Sequence, residues 1–211
     1  EVGHAFQVYE SRHLTAPESA FPTYEACEIH SMSMEFFAYP WMEEFFGEET
    51  AKYKFNHLAG SVTFLPYGVA IDEFQHVIYN QPELTPAERR QAWRTIEKKY
   101  LPHRDYEAND YLDSGAWWHQ QGHVFGSPFY YIDYTLAQVC AFQFYAWMEQ
   151  DREAAWKSYL ELCRAGGSES FLALVERAGL KSPFAPGTVE AAVAPVKAYL
   201  EQADDLVLDR V

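Results

Sequence analysis

Apolar residues return every three or four positions along nearly the whole chain, and nowhere do they settle into strict alternation. That spacing is the mark of helices and leaves no run that reads as a strand. The expected fold class is therefore all-α. Pro, Gly and capping residues cut the pattern into segments. The sharpest boundary is Thr85-Pro86-Ala87-Glu88, with Thr as N-cap, Pro at the first helical position and Glu at the third. It predicts a helix to Tyr100, ended before Pro102. A first helix is expected to carry Val2, Phe6 and Tyr9 as its apolar stripe. Residues 11–23 read as loop, 24–39 as a second helix stopped by Pro40, and 41–46 as a short helical turn ended by Gly47. Residues 48–64 and 66–79 read as two helices broken at Leu65-Pro66. An irregular acidic stretch, 101–116, leads to a long aromatic helix from Pro128 to about residue 150. Asp151 caps a helix to about 164, and Gly166-Gly167-Ser168 breaks the chain. A helix with Gly179 as C-cap ends near 178, and Thr188 caps a last one to about 203. On this reading residues 1–165 form one helical domain and 166–211 a helical extension of it.

The bulk numbers narrow the function classes. With 211 residues the chain suits one large domain or slightly more, and 48% hydrophobic content makes it globular. The formal charge of −15 argues against nucleic acid and anionic membrane surfaces, which want basic patches. Three widely spaced cysteines, Cys27, Cys140 and Cys163, make no disulfide framework or metal knuckle and read as reduced thiols of a cytoplasmic protein. No apolar run approaches the length of a membrane span, and no signal peptide is visible.

The chemistry starts at residue 1. Glu1-Val2-Gly3-His4 supplies the last four letters of H-E-x-x-H, so the chain is expected to be an excerpt of a longer or split protein. In the full motif two His on one helical face bind Zn²⁺, and the Glu serves as general base toward the water the metal activates. Glu28 lies twenty-four residues after His4, across a loop, a distance that allows a helix to turn back and deliver a carboxylate to the same ion. Glu35, seven residues beyond Glu28 on the same face, is a candidate to orient a ligand His, or else an ordinary hydrogen-bonding acid. Glu25 reads as solvated surface, Glu43-Glu44 and Glu48-Glu49 as a solvated rim, and the Met32, Met34, Phe36 and Phe37 group as core.

A second cluster follows: Trp117-Trp118-His119-Gln120-Gln121-Gly122-His123, then Ser127-Pro128-Phe129-Tyr130-Tyr131-Ile132-Asp133-Tyr134. His119 and His123 have the spacing of a metal pair but no carboxylate motif beside them. Tyr130 and Tyr134, or Tyr131 and Tyr134, share a helical face and so aim two phenols at one site. A neutral phenol donates to a developing oxyanion; tyrosines on an aromatic helix also pack. Serine or cysteine nucleophiles lack a marked base.

Three ordered motifs, E-V-G-H-A-F-Q, C-E-I-H-S-M-S-M-E-F-F and G-H-V-F-G-S-P-F-Y-Y-I-D-Y, resemble those of the thimet oligopeptidase/oligoendopeptidase F family of zinc metallopeptidases. The bacterial oligoendopeptidase F and Pz-peptidase branch is the nearer in flavour, and the resemblance runs from Glu1 to roughly Cys163. It implies a zincin-like helical catalytic domain over 1–165, with a deep channel, one Zn²⁺, and cytoplasmic cleavage of short peptides. By position Glu1 corresponds to the general base, and His4 and Glu28 to zinc ligands. His123 corresponds to the substrate-contacting His and Tyr134 to the oxyanion tyrosine. Tyr130 or Tyr131 is its partner, and the spacing leaves both open. The departure is the absent first zinc His, so the chain alone is expected to bind zinc poorly and not turn over. The remainder of the parent polypeptide would supply that ligand.

Two other readings stand beside it. One is an acidic helical binding domain with an accidental E-x-x-H. The other is a two-metal carboxylate/His oxidase, for which Glu73 and His76 repeat the spacing of Glu1 and His4.

Overall fold

The structure is a computed structural model and describes residues 1–203. Among them the elements are helices and turns, with no strand. The helices are α1 (Val2–Ser11), α2 (Pro17–Ala20), α3 (Tyr24–Phe37), α4 (Met42–Phe46), α5 (Thr50–Asn80), α6 (Pro86–Tyr100), α7 (His123–Gly126), α8 (Tyr131–Gln150), α9 (Arg152–Ala165), α10 (Phe171–Arg177) and α11 (Thr188–Glu201). Contacts divide the chain into two compact units: Glu1–Val62 with the residues from Leu136 onward, and Thr63–Thr135. This is a partition by contact, distinct from the catalytic stretch and extension read from the sequence.

In the first unit α1 packs on α3 and α9. The core is aromatic. The Phe37 ring lies 5.0 Å from Tyr159 and 5.3 Å from Trp156, and Phe144 meets Tyr159 edge-on at 5.8 Å. Phe36, Phe37, Phe144 and Tyr159 are all buried, each contributing roughly 1.5–3 kcal/mol by leaving water. Of the expected stripe on α1 only Phe6 packs inward, its ring 5.6 Å from Trp156 and 6.4 Å from Tyr159. Gly3, Gln7 and Ser11 face inward, whereas Val2 is 71% and Tyr9 58% exposed. The polar pair is satisfied where it is buried: Gln7 Nε2 donates to Ser11 Oγ (3.0 Å) and to Ala20 O (2.8 Å), and Ser11 Oγ donates to Ala20 O (2.9 Å). Bonding to one carbonyl fixes residues 12–20 against α1 and removes the cost of burying the amide.

In the second unit α5 and α6 pack around Ala70, Ile71, Phe74, Trp93 and Ile96, with Trp118 and Val124 closing the cluster. The expected break at Leu65-Pro66 does not occur; α5 runs through Pro66. The proline forfeits one backbone bond, but Leu58, Leu65, Ala70, Ile71 and Phe74 on either side are all buried, and that packing holds the helix. The capping box at Thr85 forms as read: Glu88 N donates to Thr85 Oγ1 (3.3 Å), and Thr85 N to Glu88 Oε2 (2.8 Å). Segment Leu112–Ala116 lies on α6, and only Gly fits its turn: Gly115 has φ +92°, and a Cβ there would fall 2.0 Å from Arg90 O. Phe129 also takes a left-handed backbone (φ 62°), its N–H donating to Gln75 Oε1 at 2.7 Å. That turn delays the start of α8 to Tyr131, later than the Pro128 start read from the sequence. The last helix begins at Thr188, but its cap is Gly187 (φ 79°), not the threonine side chain.

Candidate functional site

In the first unit the geometry is set by a missing side chain. A Cβ on Gly3 would lie 2.3 Å from His30 O and 2.7 Å from Ser31 Cα. Glycine lets the backbones of α1 and α3 close to that range, and the closeness brings the next residue of α1 over α3. His4 Nε2 lies 3.4 Å from Glu28 Oε2. Glu28 is buried and its Oε2 also accepts from Ser31 Oγ at 2.9 Å. His30 is fully buried, its Nδ1 3.5 Å from Cys163 Sγ and its carbonyl accepting from Tyr159 OH at 2.9 Å. Burial, and after it the neighbouring His4, pushes the His30 imidazole down to about 3. It is thus a neutral strut beneath the pair. Glu1 stands at the N-cap of α1 and is exposed.

An imidazole nitrogen and a carboxylate oxygen are zinc donors. Tetrahedral ligands about 2.1 Å from zinc stand roughly 3.4 Å from one another. The His4–Glu28 separation has that value, so the pair fits as two ligands of one ion. No group of three or more His, Cys, Asp or Glu placed to hold a metal occurs among the described residues. Glu35 does not orient His4. Its Oε2 lies 2.7 Å from His57 Nε2, and Tyr39 OH stands 2.7 Å from His57 Nδ1. Glu73 and His76 diverge as well: Glu73 Oε2 accepts from Lys99 Nζ (2.7 Å) and from Tyr100 OH, and His76 pairs with Asp72 at 3.5 Å. The spacing that suggested a two-metal oxidase is thus spent on surface pairs.

The second unit gathers the other candidates. The His123 ring lies 5.9 Å from Tyr130, 5.0 Å from Tyr131 and 5.6 Å from Tyr134, and its Nε2 is 3.4 Å from Tyr134 OH. Tyr131 is enclosed by Phe64 and Tyr67, and burial holds its phenol above the usual range. Tyr130 packs on Tyr134 at 4.9 Å. His119 turns elsewhere, its Nδ1 2.9 Å from Tyr111 OH, so the two histidines do not form a pair.

Two features had no mark in the sequence. Gln121 bridges Tyr67 OH (2.9 Å to Oε1) and His123 Nδ1 (2.8 Å from Nε2). Its partner Tyr67 is fifty-four residues away, beyond any local pattern. Glu97 is fully buried and ion-paired to Arg94 (2.8 Å) and Arg104 (3.3 Å), and Tyr106 OH donates to it.

The sequence profile of peptidase family M3 matches residues 1–193. No curated protein matches the chain. Three solved structures do. A crystal structure assigned as oligoendopeptidase F is 60% identical with a TM-score of 0.95, covering 97% of this chain and 36% of that one. Pz peptidase A, solved with an inhibitor, is 57% identical with a TM-score of 0.95 over the same shares. A structure assigned as oligoendopeptidase F from Bacillus anthracis is 54% identical with a TM-score of 0.84, covering 97% and 34%. The chain therefore spans about a third of the length of the proteins it matches.

Proposed function

This chain belongs to peptidase family M3, and from that premise we propose that it is the part of a cytoplasmic zinc oligopeptidase, acting on short peptides, that carries most of the catalytic side chains. The observation that carries this is the 3.4 Å approach of His4 to Glu28 across two helices. Residues 1–165 form the catalytic stretch and 166–211 its extension. The remainder of the parent protein supplies the first zinc His.

His4 and Glu28 would hold the metal, with Ser31 fixing the carboxylate through its 2.9 Å bond. When bound, Zn²⁺ supplies Lewis acidity, lowering the pKa of water toward roughly 7 and polarising a carbonyl. Glu1 takes the proton from the attacking water and hands it to the leaving amine. Tyr134 donates its phenolic hydrogen to the developing oxyanion, with Tyr130 or Tyr131 as its partner. His123 contacts the substrate beside the cleaved bond. Each role rests on the family resemblance together with the local geometry of its own unit.

The test is made in the full-length parent. Tyr134→Phe should lower kcat by ~10²–10³ with KM little changed, the usual loss on removing one oxyanion donor. Glu1→Gln should abolish turnover while one zinc per active site remains by metal analysis. A parent without zinc, or a Tyr134→Phe enzyme of unchanged kcat, would overturn the respective assignment.

A further inference from the structure

We propose that Gln121 is a positioning residue that holds His123 in the tautomer with its proton on Nε2, the nitrogen facing Tyr134. The inference rests on the reading of His123 as a substrate-contacting group. It is carried by a chain of side chains within the second unit. Tyr67 OH donates to Gln121 Oε1 at 2.9 Å. The Arg104 guanidinium lies 5.1 Å over the Tyr67 ring and 4.5 Å over that of Trp117, and this cation–π attraction fixes the Tyr67 ring in place. Arg104 is itself held by buried Glu97 at 3.3 Å. With Oε1 receiving that hydrogen, the NH₂ end of the amide faces His123 Nδ1 at 2.8 Å. An amide nitrogen cannot accept, so Nδ1 must offer its lone pair. A neutral imidazole carries one ring proton, and it is left on Nε2, 3.4 Å from Tyr134 OH. His123 is thereby made a hydrogen-bond donor on the side of the oxyanion tyrosine, suited to a peptide carbonyl oxygen rather than to a proton acceptor's role.

The experiment uses the full-length parent with ¹⁵N-labelled histidine, the His123 signals being assigned by their loss in His123→Asn. We expect an unprotonated Nδ1 and a protonated Nε2. Gln121→Glu, nearly the same shape but accepting only, should move the proton to Nδ1 and lower kcat ~10²-fold with KM within about twofold, as loss of one oxyanion donor would. Tyr67→Phe should release the amide and yield a mixture of tautomers. A wild-type protein protonated on Nδ1, or a tautomer unmoved by Gln121→Glu, overturns the proposal. The resonances report without turnover. An inactive parent would therefore count against the peptidase reading alone, and an active one with the opposite tautomer against this inference alone.

Discussion

Gly3 sets how closely His4 and Glu28, the proposed zinc ligands, approach one another. A Cβ added to it would meet the backbone of His30 and Ser31 at distances no side chain tolerates. Gly3→Ala should therefore move α1 off α3 and part His4 from Glu28. Overpacking of this kind costs about 1–3 kcal/mol. The parent should lose zinc affinity ~10-fold or more, read by chelator competition; unchanged affinity would mean that the helices absorb the methyl. Glu97 is the second such residue. Glu97→Gln leaves two guanidinium groups facing a neutral amide in the interior, and breaking a buried pair typically costs about 3–5 kcal/mol. A thermal melt of the variant should show a loss of that order. Neither residue announces itself in the sequence, because a glycine in a helix and a glutamate amid Arg and Lys are read locally as a weak spot and a solvated charge.

Helices are more legible than their faces. The cap at Thr85 and the cap at Asp151 form where their residues fall, since each bond is made within one turn. Asp151 Oδ1 accepts from Ala154 N at 3.0 Å and starts α9, the helix that brings Tyr159 to the His30 carbonyl. Asp151→Ala should cost ~1 kcal/mol in denaturant unfolding and Asp151→Asn much less, because asparagine caps comparably. Equal losses would refute the capping role. The inward face of α1 was not legible. Val2, Phe6 and Tyr9 make the better apolar stripe, yet Gly3, Gln7 and Ser11 are the buried set. Close approach at Gly3 and a shared carbonyl at Ala20 outweigh hydrophobicity there. Pro66 misleads for a related reason: packing on both sides of it exceeds one missing bond.

At the scale of the whole molecule, the protected thiols give a stability signature. Burial pushes Cys140 and Cys163 up to about 12 from an ordinary 9.0. Between those values the unfolded chain has released protons that the folded one keeps, so stability falls as pH rises from 9 toward 12. The slope is at most about 1.4 kcal/mol per pH unit for each thiol. Cys140→Val should flatten it by one thiol's share, read from denaturant midpoints at pH 9, 10 and 11; an unaltered slope would place the lability elsewhere. By itself the sequence determined the helical class, the caps at Thr85 and Asp151, and three motifs whose order and spacing resemble those of family M3, because each is written within a few turns of chain. The tertiary structure alone decided how closely the expected His4–Glu28 pair approaches, that Glu35 serves His57, and that Gln121 ties Tyr67 to His123. Those pairings depend on which faces fit when distant helices close, a matter of shape and backbone clearance that no local periodicity encodes.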